Sequence, residues 1–364
     1  MIFKFKKFSI NDIVSVLSFT VLSLSFFFPF DSLPFLIIAV LFLALGISSA
    51  VHSAETIANR VGPSLGTLIL ALSVTVIEVA LIVSLMGNGS EDASNIARDT
   101  VFAAIMIVTN GILGVSIILG GFRFKELAYQ SVGTNSLMGI IAVLACLTLV
   151  LPNFTTSSSG PTYDTGQLIF VSVASLFLYG ALVWAQTKTH KSYFESHTQN
   201  ELDVLEKQEK IPSRNRALLS FITLVLSLVA VVGLAKLLSP TIESGVIYFG
   251  APKAVLGIII ALLVLAPETL AAVNAAKINQ LQTSLNLALG SGAASIALTI
   301  PVVSVYSLMT AQELNLGLDS KSSIFLLLTF VVGAFTFASD RTTTLSGVMH
   351  LTILASYIAM TLMP

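Results

Sequence analysis

Long apolar runs, separated by short polar stretches, recur along the chain from residue 10 onward. A helix needs about 20 apolar residues to cross about 30 Å of hydrocarbon. Eleven segments meet this requirement, at residues 10–29, 34–58, 64–88, 99–121, 134–151, 164–187, 217–238, 252–277, 284–311, 322–338 and 344–363. The pattern therefore predicts an all-α membrane protein with 11 transmembrane helices.

The longest hydrophilic stretch, residues 188–216, divides ten of these segments into two groups of five. We interpret residues 1–33 as a cytoplasmic N-terminus and leading helix, and residues 188–216 as a cytoplasmic linker. Residues 34–187 and 217–364 are then two five-helix repeats. A unit that crosses the membrane five times ends on the opposite side, so a second copy is inserted upside down. Inverted repeats of this kind are typical of secondary transporters.

Composition supports a membrane protein and argues against other classes. Hydrophobic residues make up 55% of the chain and charged residues only 10%, which a soluble globular domain would not tolerate. The formal net charge of −1 and the scattered basic residues argue against a nucleic-acid partner. The single cysteine, Cys146, cannot form an internal disulfide or a cysteine cluster. The expected partners are the lipid bilayer and inorganic cations, while the oligomeric state is left open.

The distribution of basic residues predicts the orientation. With the N-terminus in the cytoplasm, 14 of the 18 Lys and Arg residues lie inside, three lie outside, and Lys236 lies within a span. This bias agrees with the positive-inside rule and would be reversed by one early span more or less. The C-terminus is then predicted to face outside.

Two glutamates, Glu78 and Glu268, are the acidic residues nearest the middle of apolar spans. A carboxylate at that depth costs about 2.5–3.5 kcal/mol on insertion scales, so it is rarely placed there without a use. Each lies in the second helix of its group of five, twelve residues after Gly66 and eleven after Gly257. Inverted repeats would bring the two carboxylates to opposite sides of one midplane site. The alternative is a purely structural role, in which each carboxyl group is hydrogen-bonded by a neighbouring helix.

Other polar residues near these depths are candidates for the same site. Pro267 lacks an N–H and frees the carbonyl of Leu263, which predicts a helix break beside Glu268. Further possible contacts in the first or second shell are, by position, Thr75, Thr109, Asn110, Ser291 and Ser295. Intramembrane Asn, Ser and Thr also commonly tie helices together, so this alternative stays open.

Three polar features lie away from the glutamates. His52 and Glu55 share one helix face and are candidates for a proton path, with a structural pair as the alternative. His350 is interpreted as a hydrogen-bonding group between helices. The polar stretch 339–343 is predicted to cap the last helix.

Charge neutrality predicts the chemistry of two glutamates in a site of low dielectric constant. Their double negative charge is neutralised either by one divalent cation or by two protons. If only the neutral forms change access, the cation moves one way and protons return. Oxygen ligands suit a hard cation, and Ca2+ takes six to eight oxygens. No cofactor is expected, because Ca2+, with Na+ or K+ as alternatives, is the cargo and H+ is the counter-ion.

The residues around both glutamates resemble a known family. The Gly-Pro-Ser-Leu-Gly-Thr sequence at 62–67, continuing to the Val-Thr-Val-Ile-Glu-Val sequence at 74–79, is similar to the first repeat of bacterial cation/proton exchangers of the CAX group. Leu-Ala-Pro-Glu at 265–268 is similar to the second repeat. The resemblance implies an antiporter of the bacterial inner membrane that expels Ca2+ in exchange for protons. It also implies that Glu78 and Glu268 bind the cation and the protons.

One departure affects the expected selectivity. The wider family carries Gly-Asn before the x-x-Glu of both repeats, whereas this chain has Val74-Thr75 and Val264-Leu265. This pattern resembles the branch described as sodium/potassium/calcium–proton antiporters. Fewer oxygen ligands keep a Na+/H+ or K+/H+ antiporter open as the alternative.

An enzyme is not expected. A zinc protease would show His-Glu-x-x-His, but the nearest pattern is His52-x-x-Glu55, without a second histidine one turn away. An aspartyl protease needs two mid-span aspartates, which this sequence lacks. An intramembrane hydrolase is therefore the weakest alternative, and a channel built on the same carboxylates is a further one.

Overall fold

A computed structural model describes residues 9–25, 27, 32–61, 63–87, 93–194, 212–248 and 250–363. Most of the predicted linker, residues 195–211, lies outside this range. The described part contains eleven continuous helices: α1 Ile10–Ser25, α2 Leu33–Val61, α3 Pro63–Met86, α4 Ala93–Phe124, α5 Ser131–Phe154, α6 Thr165–Thr189, α7 Arg214–Tyr248, α8 Ala254–Lys277, α9 Leu281–Thr310, α10 Ser320–Thr336 and α11 Thr344–Leu362. Two short strands, β1 Glu126–Ala128 and β2 Arg341–Thr343, and a 3-10 turn, Lys191–Tyr193, complete the regular structure of this part.

The number and order of the helices confirm the predicted fold class. Eight of these helices contain a stretch long and apolar enough to span a membrane, and three shorter apolar helical stretches lie in α1, α3 and α10. Some boundaries differ from the prediction. The helix α7 continues through Pro240 to Tyr248, ten residues beyond the predicted end, because backbone hydrogen bonding does not stop where the apolar run stops.

The helices form two compact units. The first comprises residues Met1–Asn88 and Gln208–Ser244, and the second comprises residues Gly89–Lys207 and Gly245–Pro364. Each unit combines helices from both predicted repeats, because helices associate by surface shape and chemistry rather than by order along the chain. The proposed sequence boundaries of the repeats remain a prediction.

A polar seam joins α1 to its neighbours in the first unit. The buried residues of α1 are three or four positions apart and so share one face: Asp12, Ser15, Ser18 and Leu22. Ser15 lies 2.6 Å from the hydroxyl of Ser49 on α2 and accepts a hydrogen bond of 2.8 Å from Ser227 on α7. Asp12 pairs with Arg216 at the start of α7. The leading helix is therefore tied to both α2 and α7.

In the second unit, α8 runs alongside α4 in the same direction. A methyl group built on Gly257 would lie 2.7 Å from the carbonyl carbon of Asp99, near the start of both helices. A methyl group built on Gly120 would lie 3.3 Å from the carbonyl oxygen of Ala276, near the end of both. The two contacts, one at each end, fix the register of the pair.

The helix α9 runs in the opposite direction to α4. Its first turn lies beside the end of α4, since Gln282 accepts a 2.6 Å hydrogen bond from the backbone of Gln130. Its far end lies beside the start of α4, where the backbone N–H of Asn315 donates to the carbonyl of Ser94 at 3.0 Å. The third helices of the two groups of five are thus antiparallel, as an inverted repeat requires.

Connections at the two ends of this unit repeat the same relationship. The strand β1, which follows α4, pairs with β2, which lies between α10 and α11. At the other end, the segment after α9 pairs with the end of α5 and with the connection that follows it, where Leu318 donates to Leu149 and Leu316 donates to Pro161. The segment after α4, the third helix of the first group, thus meets the connection between the last two helices of the second group. The segment after α9, the third helix of the second group, meets the corresponding region between α5 and α6. Both contacts are those that an inverted repeat predicts.

The stretch 339–343 has a different role from the predicted one. Thr343 precedes α11 without a side-chain capping bond, so the predicted cap was wrong. Residues 341–343 form β2, and Asp340 accepts a 2.9 Å hydrogen bond from the backbone N–H of Ser131, the first residue of α5. Hydrogen bonds from Ser131 hold the pKa of the Asp340 carboxyl below its usual value. The Asp340 carboxylate therefore accepts a hydrogen bond at the start of α5.

Candidate functional site

Glu268 lies on the buried face of α8 and is 6% exposed. The same face carries small residues at helical spacing, Gly257, Ala261, Ala272 and Ala276. Small side chains let helix backbones approach closely in a membrane protein. The carboxylate is therefore held inside the second unit by a helix that packs tightly against α4.

The helix α8 is not interrupted at Pro267. It is α-helical from Ala254 to Lys277, so the predicted helix break was wrong. A proline removes only its own N–H donor, and the hydrogen bonds on either side of it are enough to continue the helix. Since Pro267 has no N–H to donate, the carbonyl of Leu263 still lacks its usual intrahelical partner.

Glu78 lies on α3 in the first unit and is 3% exposed. Thr75, one turn earlier, is 6% exposed, and Ile77 beside it is fully buried. Val76, by contrast, is 46% exposed and marks the other face of the helix. The side chains of both predicted glutamates are thus buried. An ionised carboxylate is stable in an apolar environment only when its charge is balanced.

Asn110 lies at the level of Glu268 in the second unit. Asp99 and Gly257 are neighbours, and Asn110 and Glu268 each follow eleven residues later on parallel helices. With a rise of about 1.5 Å per residue, the two side chains share one depth. Asn110 is fully buried, as is Thr109 beside it.

Thr109 and Asn110 occupy a π-helical segment, Ile107–Ile112, inside α4. All six residues of this segment are buried. Single-turn π-helical segments inside α-helices are rare and are frequent at functional sites. No feature of the apolar pattern predicted this irregularity, because one wider turn leaves the spacing of apolar residues almost unchanged.

A hydrogen-bonded network surrounds Asn110. Its Nδ2 donates to Thr329 Oγ1 on α10 at 2.9 Å and to Thr109 Oγ1 at 3.3 Å. Its Oδ1 lies 3.1 Å from Nδ1 of His350 on α11, and Nε2 of His350 lies 3.1 Å from Thr336 Oγ1 on α10. The interpretation of His350 as a group that joins helices is confirmed.

The sequence reasoning missed Thr329 and Thr336 as members of this network. Both are buried and lie seven residues apart, so they share one face of α10. Two hydroxyl residues at that spacing in an apolar span were the available signal. Their partners lie on α4 and α11, which the sequence does not pair with α10.

The two remaining hydroxyl candidates lie on α9. Ser295 is 4% exposed, and Ser291, one turn earlier, is half-buried. The helix α9 contacts the π-helical segment of α4. Their assignment to a cation shell stays a prediction.

His52 and Glu55 lie on α2 in the first unit. Their Nδ1 and Oε2 atoms are 3.8 Å apart, and the side chains are 44% and 48% exposed. The pair therefore exists, but it lies at a half-exposed surface of the helix. Its role in a proton path stays a prediction.

Metal ions are commonly bound by groups of His, Cys, Asp and Glu side chains. Among the described residues, no group of three or more His, Cys, Asp or Glu side chains is placed to hold a metal ion.

The chain matches the family described as sodium/calcium exchanger protein over residues 31–188 and 219–363. It is 40% identical over 343 residues to the putative ionic transporter y4hA of Sinorhizobium fredii, covering 94% of this chain and 92% of the relative. It is 35% identical over 349 residues to the sodium-potassium/proton antiporter ChaA of Escherichia coli, covering 94% of each.

Solved structures share the fold at low sequence identity. Native YfkE superposes with a TM-score of 0.72 at 16% identity, covering 98% of this chain and all of that one. The H+/Ca2+ exchanger CAX superposes with a TM-score of 0.67 at 13% identity, covering 98% of this chain and 94% of that one. The likeness shows that these structures share the fold of this chain.

Proposed function

Since this chain belongs to the sodium/calcium exchanger protein family, we propose that it is a secondary antiporter that exchanges Ca2+ for protons across the bacterial inner membrane. The observation that carries the proposal is the burial of Glu78 and Glu268 in matching helices, α3 and α8, of the two groups of five. Relatives named as antiporters of cations and protons support it.

The two glutamates bind the transported ions. Ionised together they carry a charge of −2, and a buried site of low dielectric constant resists this charge when it is not balanced. One Ca2+ or two protons give the same neutral total, so the two loads compete for one site. Alternating access of the loaded site to each side then couples outward cation movement to inward proton movement.

Neutral oxygen ligands complete the cation shell. Thr75, Thr109, Asn110, Ser291 and Ser295 are the proposed contributors, directly or through water. Leu265, one turn before Glu268, is buried and apolar and offers no side-chain oxygen. The shell on α8 is therefore poor in fixed ligands, and water is expected to supply part of the six to eight oxygens that Ca2+ takes.

A second candidate is a Na+/H+ or K+/H+ antiporter that uses the same glutamates. It is favoured by the 35% identity to a sodium-potassium/proton antiporter over 94% of the chain. Two monovalent cations balance the two carboxylates as one Ca2+ does. The choice between the candidates depends on measured selectivity.

The N-terminus is proposed to lie in the cytoplasm and the C-terminus outside. In this orientation, the basic residues of the second unit that face the cytoplasm lie together at one end of that unit. In the second unit, Arg123 donates to the carbonyl of Lys277, and Arg341 pairs with Glu126. At the other end of that unit, Lys321 donates to the carbonyl of Met360.

The function is tested with purified protein in liposomes that carry a pH-sensitive dye. Addition of Ca2+, Na+ or K+ to one side should move protons to that side, and the cation with the lowest KM identifies the cargo. The variants Glu78→Gln and Glu268→Gln should each lose this proton movement, because one neutral amide leaves the site unable to exchange both loads.

Glu126→Gln is the matched control, since its carboxylate is 60% exposed and lies in a short strand outside the spans. It should retain normal exchange. Normal exchange by either mid-span variant would refute the assigned site. Failure of the wild-type protein to move protons with any of the three cations would refute the antiporter itself.

A further inference from the structure

A continuous chain of buried hydrogen bonds crosses three helices of the second unit. It runs from Thr336 through His350 and Asn110 to Thr329, with contact distances of 3.1, 3.1 and 2.9 Å. None of the four side chains is more than 4% exposed. The chain links α4 to both α10 and α11 at the depth of Glu268.

The directions of these hydrogen bonds follow from the partners. The Thr109 hydroxyl donates to the carbonyl of Ile105 at 2.6 Å, so its oxygen is left to accept from Asn110. The amide oxygen of Asn110 lies 3.1 Å from Nδ1 of His350, and an amide oxygen can only accept. The ring nitrogen of His350 that faces α4 therefore carries a hydrogen and donates.

This arrangement fixes both ends of the Asn110 amide. Both N–H groups of Nδ2 are directed at threonine hydroxyls, and Oδ1 accepts from Nδ1 of His350. An amide oxygen has two lone pairs, so the bond from His350 leaves one for a cation or for a water bound to it. Thr109 and Thr329 hold the amide nitrogen, and His350 supplies the hydrogen bond to the amide oxygen, so loss of His350 weakens the preference for this orientation.

We propose that His350 is a positioning residue for the cation site, which acts by holding the amide oxygen of Asn110 in a fixed orientation at the level of Glu268. This inference rests on the proposed antiporter function and deepens it. A turned amide would present hydrogen atoms to a cation and repel it, so His350 sets cation affinity. The glutamates carry the protons, so the maximal rate depends on His350 much less than KM does.

Two substitutions separate positioning from mere packing. In His350→Asn, the side-chain amide places an N–H where Nδ1 lies, which retains the bond to Asn110 and loses the contact with Thr336. In His350→Gln, the longer amide reaches the position of Nε2, which retains Thr336 and loses Asn110. Thr352→Val is the matched control, because the Thr352 hydroxyl is exposed on the same helix and donates only to Val348 within that helix.

The measurement is cation-dependent proton flux in liposomes, with KM and maximal rate determined separately for the preferred cation. We expect His350→Gln to raise KM about fivefold, the effect of one lost hydrogen bond, with the maximal rate within about twofold of wild type. His350→Asn should restore KM to within about twofold of the wild-type value. Thr352→Val should match the wild type in both parameters.

Equal KM values for His350→Gln and the wild type, or equal KM increases in His350→Gln and His350→Asn, would overturn the inference. If His350→Gln does not fold, Thr329→Val removes the hydrogen-bond acceptor at the other end of the amide and should raise KM similarly. An unchanged KM in that variant would also overturn it. An active wild type with these negative results leaves the antiporter proposal standing, whereas an inactive wild type refutes both.

Discussion

The Cα atom of Gly257 on α8 lies against the backbone of Asp99 on α4. A methyl group built there would lie 2.7 Å from the carbonyl carbon and 2.8 Å from the carbonyl oxygen of Asp99. Because α8 and α4 run in the same direction, this contact near their first turns determines which residues meet further along. It places Glu268 level with Asn110 within the second unit.

Gly257→Ala should therefore impair both stability and exchange. The added methyl group meets backbone atoms, which cannot rotate away as a side chain can, so the two helices must separate. Overpacking of this kind costs about 1–3 kcal/mol. The measurement is the thermal unfolding temperature in detergent together with proton flux in liposomes.

Gly139→Ala is the control for this prediction. It lies within α5, and nothing lies within 4 Å of a methyl group built there. Alanine is favoured over glycine inside a helix by about 0.5–1 kcal/mol, so this variant should be as stable as the wild type or more stable. A Gly257→Ala protein with wild-type stability and flux would contradict the close packing of α8 on α4.

The buried pair of Asp12 and Arg216 should contribute strongly to the stability of the first unit. Asp12 is 2% exposed and Arg216 is 26% exposed. Asp12→Asn leaves a guanidinium group with no opposite charge, which costs about 3 kcal/mol, the low end of the range for buried pairs. The loss is measured as a shift in the thermal unfolding temperature.

The exposed pair of Arg341 and Glu126 provides the comparison. Its side chains are 73% and 60% exposed, and exposed pairs are worth less than about 1 kcal/mol. Glu126→Gln should thus shift the unfolding temperature far less than Asp12→Asn does. Equal shifts would show that the seam of α1 does not depend on this buried pair.

Tyr163 should make the protein sensitive to alkaline pH. Burial raises the pKa of the Tyr163 hydroxyl to about 12, and the nearby Cys146 adds to the rise. The hydroxyl donates to the carbonyl of Leu147 and must lose this bond when it ionises. Because the pKa in the folded protein is higher than the unfolded value of about 10, the stabilisation is complete below about pH 10 and is lost as the pH rises toward about 12.

Tyr163→Phe removes both the hydrogen bond and this titration. We expect it to be less stable than the wild type near neutral pH by about 1 kcal/mol, and to lose less stability between about pH 10 and about pH 12. Thermal unfolding in detergent across this pH range checks the expectation. The same alkaline loss in the variant and the wild type would assign the effect to other groups.

The orientation in the membrane can be tested with single cysteines. Cys146 is the single cysteine of the chain and is exposed, so it would itself react with a maleimide. Cys146→Ser therefore provides a background without thiols. Ser159, in the connection between α5 and α6, and Lys188, near the end of α6, are both exposed. In right-side-out vesicles, a membrane-impermeant maleimide should label Ser159→Cys and should not label Lys188→Cys. The reverse pattern would contradict a cytoplasmic N-terminus.

The apolar pattern was sufficient to predict the eleven helices and their order. Hydrocarbon thickness sets the length of a spanning helix, and every backbone polar group inside the bilayer must be bonded internally, so local sequence largely decides where a span lies. Boundaries were less predictable. The helix α7 extends ten residues beyond its apolar run, and α8 continues through Pro267, because helical hydrogen bonds on both sides outweigh one missing donor.

The candidate site was predictable only in its charged members. Glu78 and Glu268 were visible because a carboxylate in an apolar span is energetically exceptional at any position. Asn110 was visible as a polar residue, but its partners His350 and Thr329 lie 240 and 219 residues away. Hydrogen bonds over such separations depend on which helix faces meet.

The sequence by itself determined the class of protein, the number of spans and the two acidic residues on which the proposed exchange depends, because each follows from the cost of placing groups in hydrocarbon. Only the tertiary structure decided that α8 lies parallel to α4, that α4 contains a π-helical turn at Asn110, and that His350 is hydrogen-bonded to the side chain of Asn110. These features arise from side-chain shape and hydrogen bonding between distant helices. The apolar periodicity of one helix does not indicate which other helices will pack against it.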